Sequence, residues 1–123
     1  MRFMIMGRFP ESSDPPPKRL MEAIAKVDNE ATRDGVLVQT GGLLPSSMGT
    51  RIRLSGGRVT VTDGPFTEAK EVIGGYGIFE VTSKQEAIEW ASRFMQLHQE
   101  HWGCEGEFEI RQMFDASDCG ADA

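Results

Sequence analysis

A chain of 123 residues with 39% hydrophobic and 26% charged residues suits one folded unit that buries a core without disulfide or metal staples. Its 13 basic residues are scattered among 19 acidic ones, and the formal net charge of -6 argues against a phosphate-backbone footprint, so no direct nucleic-acid partner is expected. No apolar run approaches the roughly 20 residues that span a bilayer, and the N-terminus enters strand-like sequence without a signal-peptide pattern, which excludes a membrane partner and leads us to expect a cytoplasmic protein.

Arg2 to Phe9 alternates Phe3, Ile5 and Phe9 with Met4 and Met6, so it is apolar on both sides and predicts a central strand covered twice. Asp14 before Pro15 reads as an N-cap followed by proline at the first helical position. Leu20, Ile24, Val27 and Ala31 then recur at helical spacing, up to a stop near Asp34-Gly35. Val36 to Leu44 is a second strand, broken at Gly41-Gly42 and stopped by Pro45.

Thr50 to Leu54 and Arg58 to Thr62 flank Ser55-Gly56-Gly57, which predicts a hairpin turning on Gly56 and Gly57. Counting outward pairs Leu54 with Val59 and Ile52 with Val61 on one face, with Arg51, Arg53, Thr60 and Thr62 on the other. A slip of one residue would mix the two faces. Asp63 continues the apolar face, where a carboxylate is costly unless bonded or paired. It either caps the following turn by accepting N–H bonds from Gly64 to Phe66, or faces a cavity whose desolvation suits it to acid/base work.

Ile73 to Val81 is a further strand, apolar on both faces (Tyr76 and Ile78; Phe79 and Val81). Gly74, Gly75 and Gly77 mark it for a bulge or a close approach by a helix or ligand. Ser83 with Glu86 forms a capping-box pattern at the start of a helix over Lys84 to His101, with Ala87, Ile88, Ala91, Phe94 and Met95 inward and Gly103 as the stop. Glu107 to Phe114 is the last strand, and residues 115–123 form a polar tail.

This order predicts an α+β, ferredoxin-like protomer with two helices on one face of a mostly antiparallel sheet. The apolar groups on the opposite face then need a cover, and a second copy packed sheet to sheet as a homodimer supplies it.

"DGPFTEAKEVIGGYGIFEV", with "AIEW" at Ala87 to Trp90 and "EIRQ" at Glu109 to Gln112, resembles the YCII-related, or DGPF-domain, family over nearly the whole chain. The resemblance makes residues 1–114 a single domain of that type and implies a dimeric α+β barrel. It also implies activity on a small organic molecule, since a few relatives use a His–Asp pair, and a linkage of DGPF-type members with extracytoplasmic-function sigma factors. Those relatives place a histidine early in the chain, whereas this sequence has none before His98. The motif aspartate matches at Asp63, and the acid-Lys-acid segment at Glu68, Lys70 and Glu71.

The expected site is a pocket between the sheet and a dimer partner, in which Asp63 is the acid/base and Glu71, a second carboxylate held close, pushes one pKa of the pair upward. Gly64, Phe66 and Tyr76 line it, and Arg51 grips an anionic group of the ligand. The alternative is a non-catalytic ligand-binding or regulatory module built on the same cavity. No cofactor or metal is expected, because His98, His101 and Cys104 form an HxxHxxC pattern that lacks a fourth ligand. Cys104 and Cys119 read as free thiols in a reducing compartment.

Overall fold

The computed structural model describes residues 1–11 and 15–115. The elements run β1 (Arg2–Phe9), α1 (Lys18–Arg33), β2 (Leu37–Gly42), a 3-10 turn (Ser46–Met48), β3 (Thr50–Ser55), β4 (Arg58–Asp63), β5 (Val72–Glu80), α2 (Lys84–His101) and β6 (Glu107–Gln112). Four strands form one antiparallel sheet in the order β2-β5-β1-β6, and β3 and β4 pair separately. With that hairpin set aside, the connectivity is ferredoxin-like. Among the described residues no helix is long and apolar enough to cross a membrane.

The two strands with apolar residues on both faces, β1 and β5, take the two central places. Their inward faces supply Phe3, Ile5 and Phe79, which together with Val81 just past β5 pack with Ala31 of α1 and with Ala87, Ala91 and Phe94 of α2. Three alanines at the contacts let both helices lie close to the large strand side chains, which stabilises the layer by burying apolar area at about 25 cal/mol per Å². On the opposite face, Met4 pairs with Ile78 and Met6 with Tyr76, all half-buried, and the Arg8–Glu109 ion pair at 3.1 Å lies beside them.

Helix α1 begins at Lys18, later than an N-cap at Asp14 would give, and Asp14 itself lies outside the described residues, as does Cys119. Pro15, Pro16 and Pro17 explain the start. A residue before proline is kept out of the helical region, so Pro15 and Pro16 stay extended and Pro17 becomes the boundary, with no side-chain cap. The other end falls as expected, at Asp34 followed by Gly35 with φ 73°.

At α2 the Ser83 hydroxyl accepts the Glu86 N–H at 3.1 Å. The Glu86 carboxylate reaches one residue further back than a capping box requires, accepting from the Thr82 N–H at 3.0 Å and the Thr82 hydroxyl at 2.7 Å. The hairpin has the register that the alternation predicts, Leu54 opposite Val59 and Ile52 opposite Val61, with Gly56 and Gly57 both at positive φ. It stands apart from the main sheet, and Ile52, Leu54, Val59 and Val61 are 66–75% exposed.

Candidate functional site

Asp63 closes the hairpin, where its carboxylate accepts the Thr50 hydroxyl at 3.0 Å, and it is exposed. The N–H groups that follow it are bonded elsewhere. Gly64 donates to the Gly49 carbonyl at 2.9 Å, and Phe66 donates to Ser46 Oγ at 3.0 Å. The DGPF turn is therefore held by the 3-10 turn and not by an Asx-turn at Asp63. Ser46 is 7% exposed and is also tied to Glu11: its hydroxyl donates to Oε1 and its N–H to Oε2 at 2.6 Å. These bonds, the hydroxyl foremost, hold the Glu11 carboxyl below its usual range. One buried serine thus joins three segments: the end of β1, the 3-10 turn and the DGPF turn.

The motif glycine follows from the same contact. A Cβ built on Gly64 would stand 1.7 Å from the Ser46 carbonyl oxygen, so no side chain fits there. The Gly64–Pro65 peptide is cis. Phe66 is half-buried with the Arg51 guanidinium 3.8 Å over its ring, and Arg51 also pairs with Glu68. Glu71 is half-buried just before β5. Tyr76 sits mid-strand on the open face, where its hydroxyl accepts from Gln39 Nε2 at 3.0 Å.

A largely apolar hollow lies on the other side of the sheet. Gly75 pairs with Gly42 on one flank and with Gly7 on the other, and Gly7 pairs with Phe108, so three adjacent strands present a row of glycines toward the helices. The β1–β5 register shifts between Gly7 and Arg8, where Gly74 is the additional residue. With no side chains on that row, a chamber of about 440 Å³ remains between sheet and helices. Phe9 and Phe108 wall it from the strands, Leu20 and Ile24 from α1, and Phe94 and Trp102 at the α2 end. Leu44, Pro45 and Glu11 border it, which places the serine junction at its edge.

Two titratable side chains from opposite helices line this chamber. His98 is 9% exposed, and its Nδ1 lies 2.9 Å from the Phe94 carbonyl. A carbonyl can only accept, so Nδ1 carries the hydrogen and the neutral ring keeps its lone pair on Nε2. Nε2 has no hydrogen-bond partner among the described residues. The ring stacks on Phe9 (centroids 5.1 Å apart, 9° between planes) and meets the edge of Phe108 at 5.3 Å, so its orientation is fixed by aromatic contacts.

Asp28 of α1 is half-buried, and among the described residues its carboxylate makes no hydrogen bond or ion pair. Burial pushes its carboxyl above the ordinary value. Among the described residues, Glu11 and Asp28 are the only formally charged side chains that line the chamber, and no Lys or Arg does.

Of the six residues singled out in the sequence, Tyr76 borders this chamber from β5 while its hydroxyl is engaged by Gln39 on the open face; Arg51, Asp63, Gly64, Phe66 and Glu71 do not border it. His98, His101 and Cys104 do not converge, and no group of three His, Cys, Asp or Glu placed to hold a metal occurs among the described residues. Asp28 went unnoticed although its position carries a signal. It falls four residues after Ile24 and three before Ala31, a carboxylate on the inward stripe of α1.

Residues 1–114 match the YCII-related domain family. An uncharacterized protein of Rhizobium meliloti (strain 1021) is 31% identical over 74 residues, which is 60% of this chain and 60% of that protein's length.

Two outcomes follow from this geometry. Gly64→Ala should cost about 1–3 kcal/mol or more in urea denaturation, whereas Gly74→Ala, with nothing within 4 Å of its added Cβ, should cost under about 1 kcal/mol. Asp28→Asn should stabilise the fold at neutral pH. A carboxyl raised by folding destabilises wherever it is ionised, so the gain is full above the folded pKa and vanishes as pH falls toward the ordinary value of 3.8. A gain that stays constant down to that pH would contradict the assignment.

Proposed function

The chain belongs to the YCII-related family, and from that premise we propose that it acts on a small organic molecule held in the glycine-floored chamber, with His98 as the base. The observation that carries this reading is the meeting, in one largely apolar hollow, of an imidazole with a free Nε2 and a carboxylate without a partner. Nε2 takes a proton from the bound molecule while the Phe94 carbonyl, bonded to Nδ1–H, stabilises the imidazolium that forms. Phe9, Phe108 and Trp102 keep water from the ring. Asp28 fixes the polar end of the ligand across the chamber. Proton transfer of this kind serves a lyase or an isomerase.

The active unit in this reading is a homodimer closed as an α+β barrel. Its support is the half-buried row of Met4, Met6, Tyr76 and Ile78 on the open face, together with the exposed apolar face of the hairpin. The assignment of Asp63 and Glu71 as the acid/base pair belongs to the same dimer, because it requires a second subunit to bring the hairpin base over a chamber mouth. A non-catalytic binding module would share the chamber and leave the base without a role.

With a substrate found by screening, His98→Gln should lower kcat about 100-fold or more with a small change in KM, while Asp63→Asn stays within about threefold of the parent. Equal loss from both variants would return the acid/base role to the DGPF aspartate. Unchanged turnover in His98→Gln would remove the imidazole from the chemistry.

A further inference from the structure

The chamber's polar inventory points to one class of ligand, and this step rests on the reading of the chamber given above. We infer that the ligand is a small molecule with an apolar, ring-bearing body and one protonated amine, whose ammonium group meets Asp28.

Both titratable side chains that the chamber leaves free are acceptors, and the one further free polar group on its described wall is the indole N–H of Trp102 at the α2 end. Asp28 offers a carboxylate with no partner among the described residues, and His98 offers the lone pair of Nε2, because Nδ1–H is committed to the Phe94 carbonyl. Glu11 is the other carboxylate at the wall, and Ser46 occupies both of its oxygens. An ammonium brings donors and no acceptor, so it complements this set, whereas a carboxylate or phosphate ligand brings more acceptors to it.

The charges select in the same direction. With Glu11 and Asp28 at the wall and no Lys or Arg, an anion entering the chamber would be stripped of water beside two carboxylates and gain no countercharge. A cation does the reverse. It supplies the countercharge that Asp28 lacks and removes the penalty that burial places on that carboxylate. The ligand's body is set by the walls. Phe9, Phe108 and Trp102 cluster around His98 with ring centroids 5.1–6.4 Å apart, and they present faces and edges to a planar ring or to the ammonium itself.

Three probes of nearly equal shape separate these contributions: 2-phenylethylamine, 2-phenylethanol and phenylacetate, each titrated into the full chain near neutral pH while amide and indole signals are followed by NMR. The amine should shift the signals of Gly7, Gly75 and Trp102 and bind at least about ten times more tightly than phenylacetate. Asp28→Asn should weaken the amine about tenfold and leave 2-phenylethanol within about threefold. Asp28→Ser repeats the comparison if the asparagine variant does not fold. Phenylacetate binding as tightly as the amine, or an amine affinity indifferent to Asp28, would overturn the cation assignment. If 2-phenylethanol alone shifts those signals, the cation assignment falls and the chamber reading stands. If none of the three shifts them, both fall.

Discussion

The row Gly42–Gly75–Gly7 is the constraint from which the rest of the structure follows. Strands lie about 4.8 Å apart, so three neighbouring glycines clear a strip roughly 10 Å wide on the face that should carry the core. The helices cannot sink into it. They rest on Phe3, Phe79 and Val81 through Ala31, Ala87, Ala91 and Phe94, and those contacts fix their height above the sheet. Dense packing toward one end and missing side chains toward the other produce a chamber instead of a collapsed core.

The DGPF segment has a place in this scheme that its aspartate alone does not explain. Gly64 lets the backbone pass against the Ser46 carbonyl, Phe66 donates its N–H to the same serine, and the serine binds Glu11 at the chamber's edge. A buried hydroxyl that donates once and accepts once is satisfied in both roles, which makes the junction specific as well as stabilising. Motif residues and chamber are thus coupled through one side chain. Among the described residues, the carboxylate of Asp63 takes part only through Thr50.

Much of the fold was legible in the residues. The apolar faces of β1 and β5 identified the central strands, and the hairpin register followed from two alternations that had to agree. The start of α1 was misplaced because an acid before a proline looks like a cap, while three successive prolines delay the helix to Lys18. The chamber was harder to see. It is made by side chains that are missing from positions 7, 42 and 75, and only the strand register shows that these glycines stand in one row. His98 drew notice as a possible ligand near a helix end, yet its importance comes from Phe9, which lies far away in sequence and stacks on its ring. Asp63 stood out through its motif, but the hairpin pairs apart from the main sheet, so its apolar face is not the core face.

The central claim is that the folded chain keeps an accessible, largely apolar hollow above its glycine row. Dissolved xenon tests this most directly, because it enters apolar cavities and perturbs the amides that line them. The account predicts concentration-dependent, saturable shifts at Gly7, Gly42, Gly75 and Phe94, with the hairpin amides at Gly56 and Gly57 unaffected. Uniform small shifts across the chain, with none concentrated on the glycine row, would contradict it.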